Sequence, residues 1–170
     1  MSSTTLHLLC GKIASGKSTL AKQLATAHGA LLICEDHWLS RLYPGEIRSV
    51  TDYLDRARRI RGVLGPLVID LLRMGSAVVL DFPANTVADR SWLLSLARTA
   101  GVGHSLHYLE QDDATCRARL HARNARGEHD FTATDSEFEL ITRHFQAPAA
   151  GEGLDIVVHC ETAVSYTHLT

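Results

Sequence analysis

The chain has 170 residues, of which 45% are apolar and 21% charged, and its formal net charge is −2. That is one domain by size, with enough interior for a sizeable core, and it excludes a disordered chain and a uniformly basic nucleic-acid binder while leaving a local basic groove open. No apolar run approaches the roughly 18 residues that would span a bilayer, and the N-terminal MSSTTLHLLC lacks the basic start of a secretory leader, so a cytoplasmic chain is expected.

In chain order, Leu6–Cys10 is a short apolar run that ends in glycine and is expected as a buried strand. A helix is expected over Lys17–His28, where Leu20 and Leu24 share a face, with Gly29 as its stop. Ala30–Cys34 is expected as a second strand, followed by mixed sequence through residue 50 with a turn at Pro44 and Gly45. Helical periodicity returns over Thr51–Met74, interrupted by Gly62, Gly65 and Pro66, which predicts two helices or one kink. Ala77–Leu80 is the third expected strand and ends at Asp81. A helix over 86–100, a strand over His104–Leu109 and a helix over Asp112–Arg126 follow, the last capped by Asp112 or Asp113.

A polar loop over 127–135 leads to a helix over Ser136–Phe145, where Ser136 and Glu139 have capping-box spacing, and to a fifth strand at Leu154–His159. Near-continuous apolar strands alternating with helices indicate a parallel sheet covered on both faces. The last residues, Ala163–Thr170, continue no pattern and are expected as a disordered tail or an artefact appended to the natural sequence; the domain is taken as 1–162. The four cysteines, Cys10, Cys34, Cys116 and Cys160, form no CxxC pair and are expected as buried reduced thiols.

The densest chemical signal is Gly11-Lys12-Ile13-Ala14-Ser15-Gly16-Lys17-Ser18, followed by Thr19, which matches GxxxxGK[ST] between an expected strand and an expected helix. Glycines let the backbone curl so that successive N–H groups point at a phosphate, and the helix N-terminus adds partial positive charge. Lys17 would reach the outer phosphates of ATP and Ser18 would ligate Mg²⁺. The strand that ends at Asp81 supplies a carboxylate at the same sheet edge, placed for the same Mg²⁺. Phe82 follows it, where hydrolytic motors carry a water-activating acid, which argues for transfer to a bound acceptor. All three lysines lie in the first 22 residues, so the late Asn/Thr-Lys-x-Asp element of guanine recognition is absent.

A kinase also needs an acid near its acceptor hydroxyl. The second strand runs into Cys34-Glu35-Asp36-His37, where Asp36 is the first choice and Glu35 the second, with His37 placed to bond Asp36 or the substrate. Arg119, Arg123 and Arg126 share one helix face just before the 127–135 loop, as lid arginines would, while Arg117 projects elsewhere. A second cluster, Arg56, Arg58, Arg59 and Arg61 with Arg41 and Arg48 upstream, could meet an anionic acceptor or be ordinary surface charge.

On GKIASGKST at 11–19, CEDHW at 34–38, LDFPAN at 80–85 and RLHARNARGEHDF at 119–131, the chain resembles the small P-loop kinases of the AAA_33-type ATP-binding family. That group looks like the kinase half of polynucleotide kinases and is more distantly similar to zeta-toxin and chloramphenicol phosphotransferase-like enzymes. The resemblance implies ATP and Mg²⁺ binding by Lys17 and Ser18, acceptor activation by Asp36, lid roles for Arg123 and Arg126, and an Asp…Asn element at Asp81 and Asn85; Arg119, on the same helix face, is expected beside the nucleotide.

The expected fold is then a P-loop α/β/α sandwich with a five-stranded parallel sheet in the order 2-3-1-4-5 and a lid at about 119–135. The expected function is an ATP-dependent phosphotransferase acting on a small-molecule hydroxyl. The alternatives are a 5′-hydroxyl polynucleotide kinase, for which Trp38, Tyr43 and Tyr53 are the nearby aromatics, and an ATP-binding regulatory module with little catalysis.

Overall fold

A computed structural model describes residues 4–127 and 129–160, and the backbone of 168–169. The elements are β1 (Thr5–Gly11), α1 (Lys17–His28), β2 (Leu31–Cys34), α2 (Glu35–Leu42), α3 (Val50–Arg73), β3 (Val78–Asp81), α4 (Val87–Ala100), β4 (Gly103–Leu109), α5 (Asp113–Arg126), α6 (Asp135–His144), β5 (Ile156–His159) and β6 (His168–Leu169). Strands β1 to β5 are parallel and lie in the order β2-β3-β1-β4-β5, so the phosphate-loop strand is central, as expected.

Side-chain alternation along the strands builds two apolar layers. Leu6, Leu8, Cys10, Val78, Leu80 and Leu106 face α3 and α4 in the larger core. Leu9 and Val79 face the other way, onto Ala21 and Leu24 of α1. A small third cluster of Cys116, Leu120 and Phe138 holds α5 to α6 beside the sheet.

Three local expectations change. Residues 35–42 form a helix, α2, where mixed sequence was expected; Glu35 and Asp36 lie in its first turn, where acids complement the helix dipole, and Leu39 is fully buried. The interrupted stretch from residue 50 is one 24-residue helix with Pro66 inside it. The carbonyl that loses its bond to Pro66 belongs to exposed Gly62 and can turn to water, which removes much of the usual cost. Gly65 lets α3 approach α4 closely, since a Cβ there would stand 3.4 Å from the Trp92 ring. The capping box of α6 is Thr134 with Glu137, two residues before the expected Ser136–Glu139 pair, which has the same spacing.

At the far edge, β6 pairs antiparallel with β5 through Ile156–Leu169 and Val157–His168, although the tail was expected to find no partner. An uncovered strand edge offers unpaired N–H and C=O groups to whatever segment lies near it. The rest of the tail, 163–167 and 170, falls outside the described residues. No two cysteines are bonded, but Cys160 is exposed and Cys34 only partly buried, because Cys34 is the last residue of β2 and Cys160 follows β5.

Candidate functional site

The phosphate loop joins the end of β1 to the start of α1 and closes on itself. Ser15 N–H donates to the Lys12 carbonyl, and Lys17 Nζ donates to the carbonyls of Gly11 and Lys12, each at 2.7 Å. Two loop positions are left-handed, Ala14 at φ 61° and Gly16 at φ 104°. Gly11 is required by crowding: a Cβ there would lie 2.5 Å from Ser15 Oγ and 3.1 Å from the Leu109 carbonyl. Burial pulls the Lys17 ammonium below its usual range, opposed by the charge of Asp81. The Ser15 hydroxyl is buried in the loop without a partner.

β3 brings Asp81 beside the loop, where Ser18 Oγ donates to its Oδ2 at 2.8 Å. A hydroxyl and a carboxylate in contact at the start of a phosphate-binding helix form a hard oxygen pair that suits Mg²⁺, which usually takes one or two protein oxygens and completes its shell with phosphate and water. Among the described residues no group of three or more His, Cys, Asp or Glu side chains could hold a metal alone.

A cleft of about 1890 Å³ opens from this loop. That is roughly twice the upper end for ordinary small-ligand pockets and is room for two reactants. Ile13 through Thr19, Asp36, Asp81 and Asn85 line it, as do Arg119, Arg123 and Arg126. Gly11 and Lys12 are not on its wall; Gly11 is buried at the loop's base and the Lys12 side chain pairs with Asp113. Arg119 Nη1 donates to the Ser15 carbonyl at 3.2 Å and so packs on the loop itself. Arg123 has its Nε buried without a partner, and its guanidinium feels the Asp36 charge. Arg117 turns away to Glu139 and the Phe138 ring.

The two acids after β2 separate. Glu35 is fully buried and held by Arg61, whose Nε donates at 2.8 Å and Nη2 at 3.4 Å; Arg61 also donates to Asp89 at 3.1 Å and stacks over Trp92. Asp36 lines the cleft and accepts a 2.6 Å hydrogen bond from Tyr53. Burial pushes both carboxyls above the usual range, opposed at Glu35 by Arg61 and at Asp36 by Tyr53, His129 and Lys17. His37 is exposed and outside the cleft, since the helix turn carries it to solvent.

The second arginine cluster is mostly spoken for. Arg56 pairs with Glu46 and Asp55, Arg59 pairs with Asp55, and exposed Arg41 stands away from the cleft, leaving Arg48, Arg58 and the paired Arg61 on its wall. Trp38 and Tyr43 do not line the cleft, and Tyr53 does so with its hydroxyl committed to acids.

Sequence reasoning passed over Arg90. It is 1% exposed and donates to Glu152 at 2.8 Å, to the Ala84 carbonyl at 2.9 Å and to the Gln146 carbonyl at 2.7 Å, pinning the segment that carries Asn85. Its setting, Asp89-Arg90-Ser91, reads as a solvated helix face, and nothing local marks it as buried. The sequence offered Arg61 only as an acceptor contact or surface charge and Tyr53 only as a nearby aromatic, since their acidic partners are 26 and 17 residues away.

The central parallel strand, the closed loop and the Ser18–Asp81 pair define a nucleotide-binding protein of the P-loop class. Residues 6–148 match the AAA_33 family, described as an AAA domain, and the chain belongs to that family. It is 30% identical over 152 residues to the KTI12 homolog of Arabidopsis thaliana, covering 84% of this chain and 47% of that one; the chain thus spans about half the length of this curated relative. It superposes on the Chaetomium thermophilum Kti12 structure in complex with ADP-AlF3 at a TM-score of 0.68, with 18% identity, over 92% of this chain and 89% of that one. It superposes on the Mycobacterium tuberculosis APS kinase CysC in complex with AMPPNP and APS at a TM-score of 0.60, with 19% identity, over 95% and 91% of the two chains.

Proposed function

We propose that the protein is an ATP- and Mg²⁺-dependent phosphotransferase that moves the γ-phosphate of ATP to a hydroxyl of a small-molecule acceptor. The observation that carries this reading is the position of Asp36: a cleft-lining carboxylate within electrostatic reach of Lys17 and of Arg123, whose Nε has no partner.

The loop amides of residues 11–18 and Lys17 bind the phosphates, and Arg119 holds the loop in shape through the Ser15 carbonyl. Ser18 and Asp81 would hold Mg²⁺, which when bound supplies charge neutralisation on the phosphates. Asp36 orients the acceptor hydroxyl and takes its proton. As the acceptor oxygen bonds to the γ-phosphorus, the bond from that phosphorus to the bridging oxygen breaks and its electron pair leaves with ADP. Arg123 and Arg126 counter the charge spread over the transferring group. Burial of Asp36 raises its basicity, which suits a proton acceptor near neutral pH.

The aromatics bear on the polynucleotide alternative. A strand-binding groove stacks bases on exposed rings, but Trp38 and Tyr43 lie off the cleft, and of the half-buried rings on its wall Tyr53 is tied to Asp36, Phe131 packs edge-on against Tyr53 and Trp92 sits under Arg61. A second reading, an ATP-binding module with little transfer activity, is favoured by the 30% identity to the KTI12 homolog.

ADP release from the purified chain with Mg·ATP and a panel of hydroxyl acceptors (sugars, nucleosides, aminoglycosides, chloramphenicol and 5′-hydroxyl oligonucleotides) separates these readings. Phosphotransfer predicts stimulation by one small acceptor, lost in Lys17→Ala. Tight ATP binding that no acceptor stimulates would favour the module.

A further inference from the structure

We infer that Tyr53 is a positioning residue that holds one oxygen of Asp36 and leaves the other aimed at the acceptor, with Phe131 of the lid region bracing its ring. This rests on the phosphotransfer reading above and concerns how its acid is kept in place.

The argument starts from one proton. A phenol has a single O–H to donate. Tyr53 Oη lies 2.6 Å from Asp36 Oδ1 and 3.2 Å from Glu35 Oε1. Glu35 already accepts two bonds from the Arg61 guanidinium, while the Asp36 carboxylate takes no other hydrogen bond among the described residues. The shorter contact and the unmet need both assign the hydrogen to Asp36. Burial and the two acids push the Tyr53 phenol well above its ordinary value, so it keeps this proton wherever Asp36 titrates. Asp36 Oδ2 is then the oxygen left to receive a proton from an acceptor hydroxyl.

The ring itself has a second contact. Phe131, in the segment between α5 and α6, meets Tyr53 edge-on with ring centres 6.0 Å apart, a favoured aromatic arrangement. His129 of the same segment also faces Asp36. The lid region therefore reaches the proposed base through two side chains, one acting on its partner and one on its charge. The other charged or titratable groups facing Asp36 are Lys17 of α1, Cys34 and Glu35 beside it, Asp81 at the end of β3 and Arg123 of α5.

A hydrogen bond to the ionised form favours that form, so loss of the phenol hydroxyl raises the pH at which Asp36 protonates. A purely structural tyrosine would leave that midpoint unchanged. The test is a carbon-13 NMR pH titration of aspartate carboxyl carbons in the labelled full chain, without ligand, with Asp36 assigned through Asp36→Asn. Tyr53→Phe is expected to raise the Asp36 midpoint by about one pH unit. Phe131→Ala, which keeps the phenol but removes its brace, is expected to move it the same way by less, and it carries the test if Tyr53→Phe fails to fold.

An Asp36 midpoint unmoved by these substitutions, with acceptor-stimulated ADP release abolished in Asp36→Asn, overturns the role of Tyr53 alone. Full acceptor-stimulated release in Asp36→Asn overturns that role together with the place of Asp36 as the base, whereas tight Mg·ATP binding that no acceptor stimulates in the unsubstituted chain overturns the phosphotransfer reading itself.

Discussion

The two halves of the cleft are built on different principles. The nucleotide half is almost contiguous: the turn after β1 and the first residues of α1 supply the amides, Lys17 and Ser18, and two distant residues, Asp81 and Arg119, complete it. The proposed acceptor half is assembled from α2, α3, α4 and the segment between α5 and α6, and its order lies in side-chain contacts such as Tyr53–Asp36, Arg61–Glu35, Arg61–Asp89 and Tyr53–Phe131. A backbone cradle requires particular residues at fixed spacing. A side-chain network requires only that partners meet in space, and so it leaves no local signature.

That difference explains what was legible beforehand. The Gly-x-x-x-x-Gly-Lys-Ser string, the run into Asp81 and the strand order follow from spacing, apolar runs and the handedness of parallel crossovers. Helix α2 was missed because Pro44 and Gly45 suggested an irregular stretch, while its amphipathic signal is short. The choice between Glu35 and Asp36 rests on which one Arg61 neutralises, and that pairing spans 26 positions. Arg90 was invisible for the same reason: its partners, Glu152 and the Gln146 carbonyl, are 62 and 56 residues away.

If the halves are separable, substitutions will divide accordingly. The largest effect is expected at Lys17. Lys17→Ala should lower acceptor-stimulated turnover by at least about 10³-fold, or about 4 kcal/mol, and weaken ATP binding measured by calorimetry, with little change in thermal stability. Unchanged ATP affinity would break the assignment of the loop as the nucleotide half.

Arg61 provides the opposite test, because its expected effect is on folding. Arg61→Leu strands Glu35 as an unpaired buried acid and should cost about 3 kcal/mol in urea unfolding. Glu35 can escape part of that cost by protonating, so the loss should shrink as pH falls below neutrality. A loss under about 0.5 kcal/mol, of the size seen for surface pairs, would show that the acceptor half does not depend on this network.

The sheet beneath carries a third kind of polar interior. His7 and His107 are almost fully buried; His7 Nδ1 lies 3.2 Å from His107 Nε2, and His107 Nδ1 lies 3.1 Å from His159 Nε2. The His28 ring packs on His7 at 4.3 Å between centres. Among the described residues no acid balances this row as Glu35 and Asp89 balance Arg61. Burial, with the neighbouring imidazoles, lowers both His7 and His107 to about 4.

The unfolded chain, with histidines near 6.5, then binds protons first as pH falls. Stability is full above about pH 6.5 and is lost progressively towards pH 4. Each of the two should cost about 1–2 kcal/mol between pH 7 and pH 5. Urea unfolding against pH checks this, and the slope should flatten in a His7→Leu, His107→Leu double variant. An equal slope in that variant would assign the acid sensitivity to another part of the fold.

The central claim is that Asp36 belongs to the acceptor step and not to nucleotide binding. The most direct measurement sets Mg·ATP affinity beside acceptor-stimulated ADP release in Asp36→Asn. The account predicts ATP affinity within about twofold of the unsubstituted chain and release lowered by about 10²-fold or more, the range for loss of a general base. Release at the unsubstituted rate, or ATP affinity falling in step with release, would contradict it.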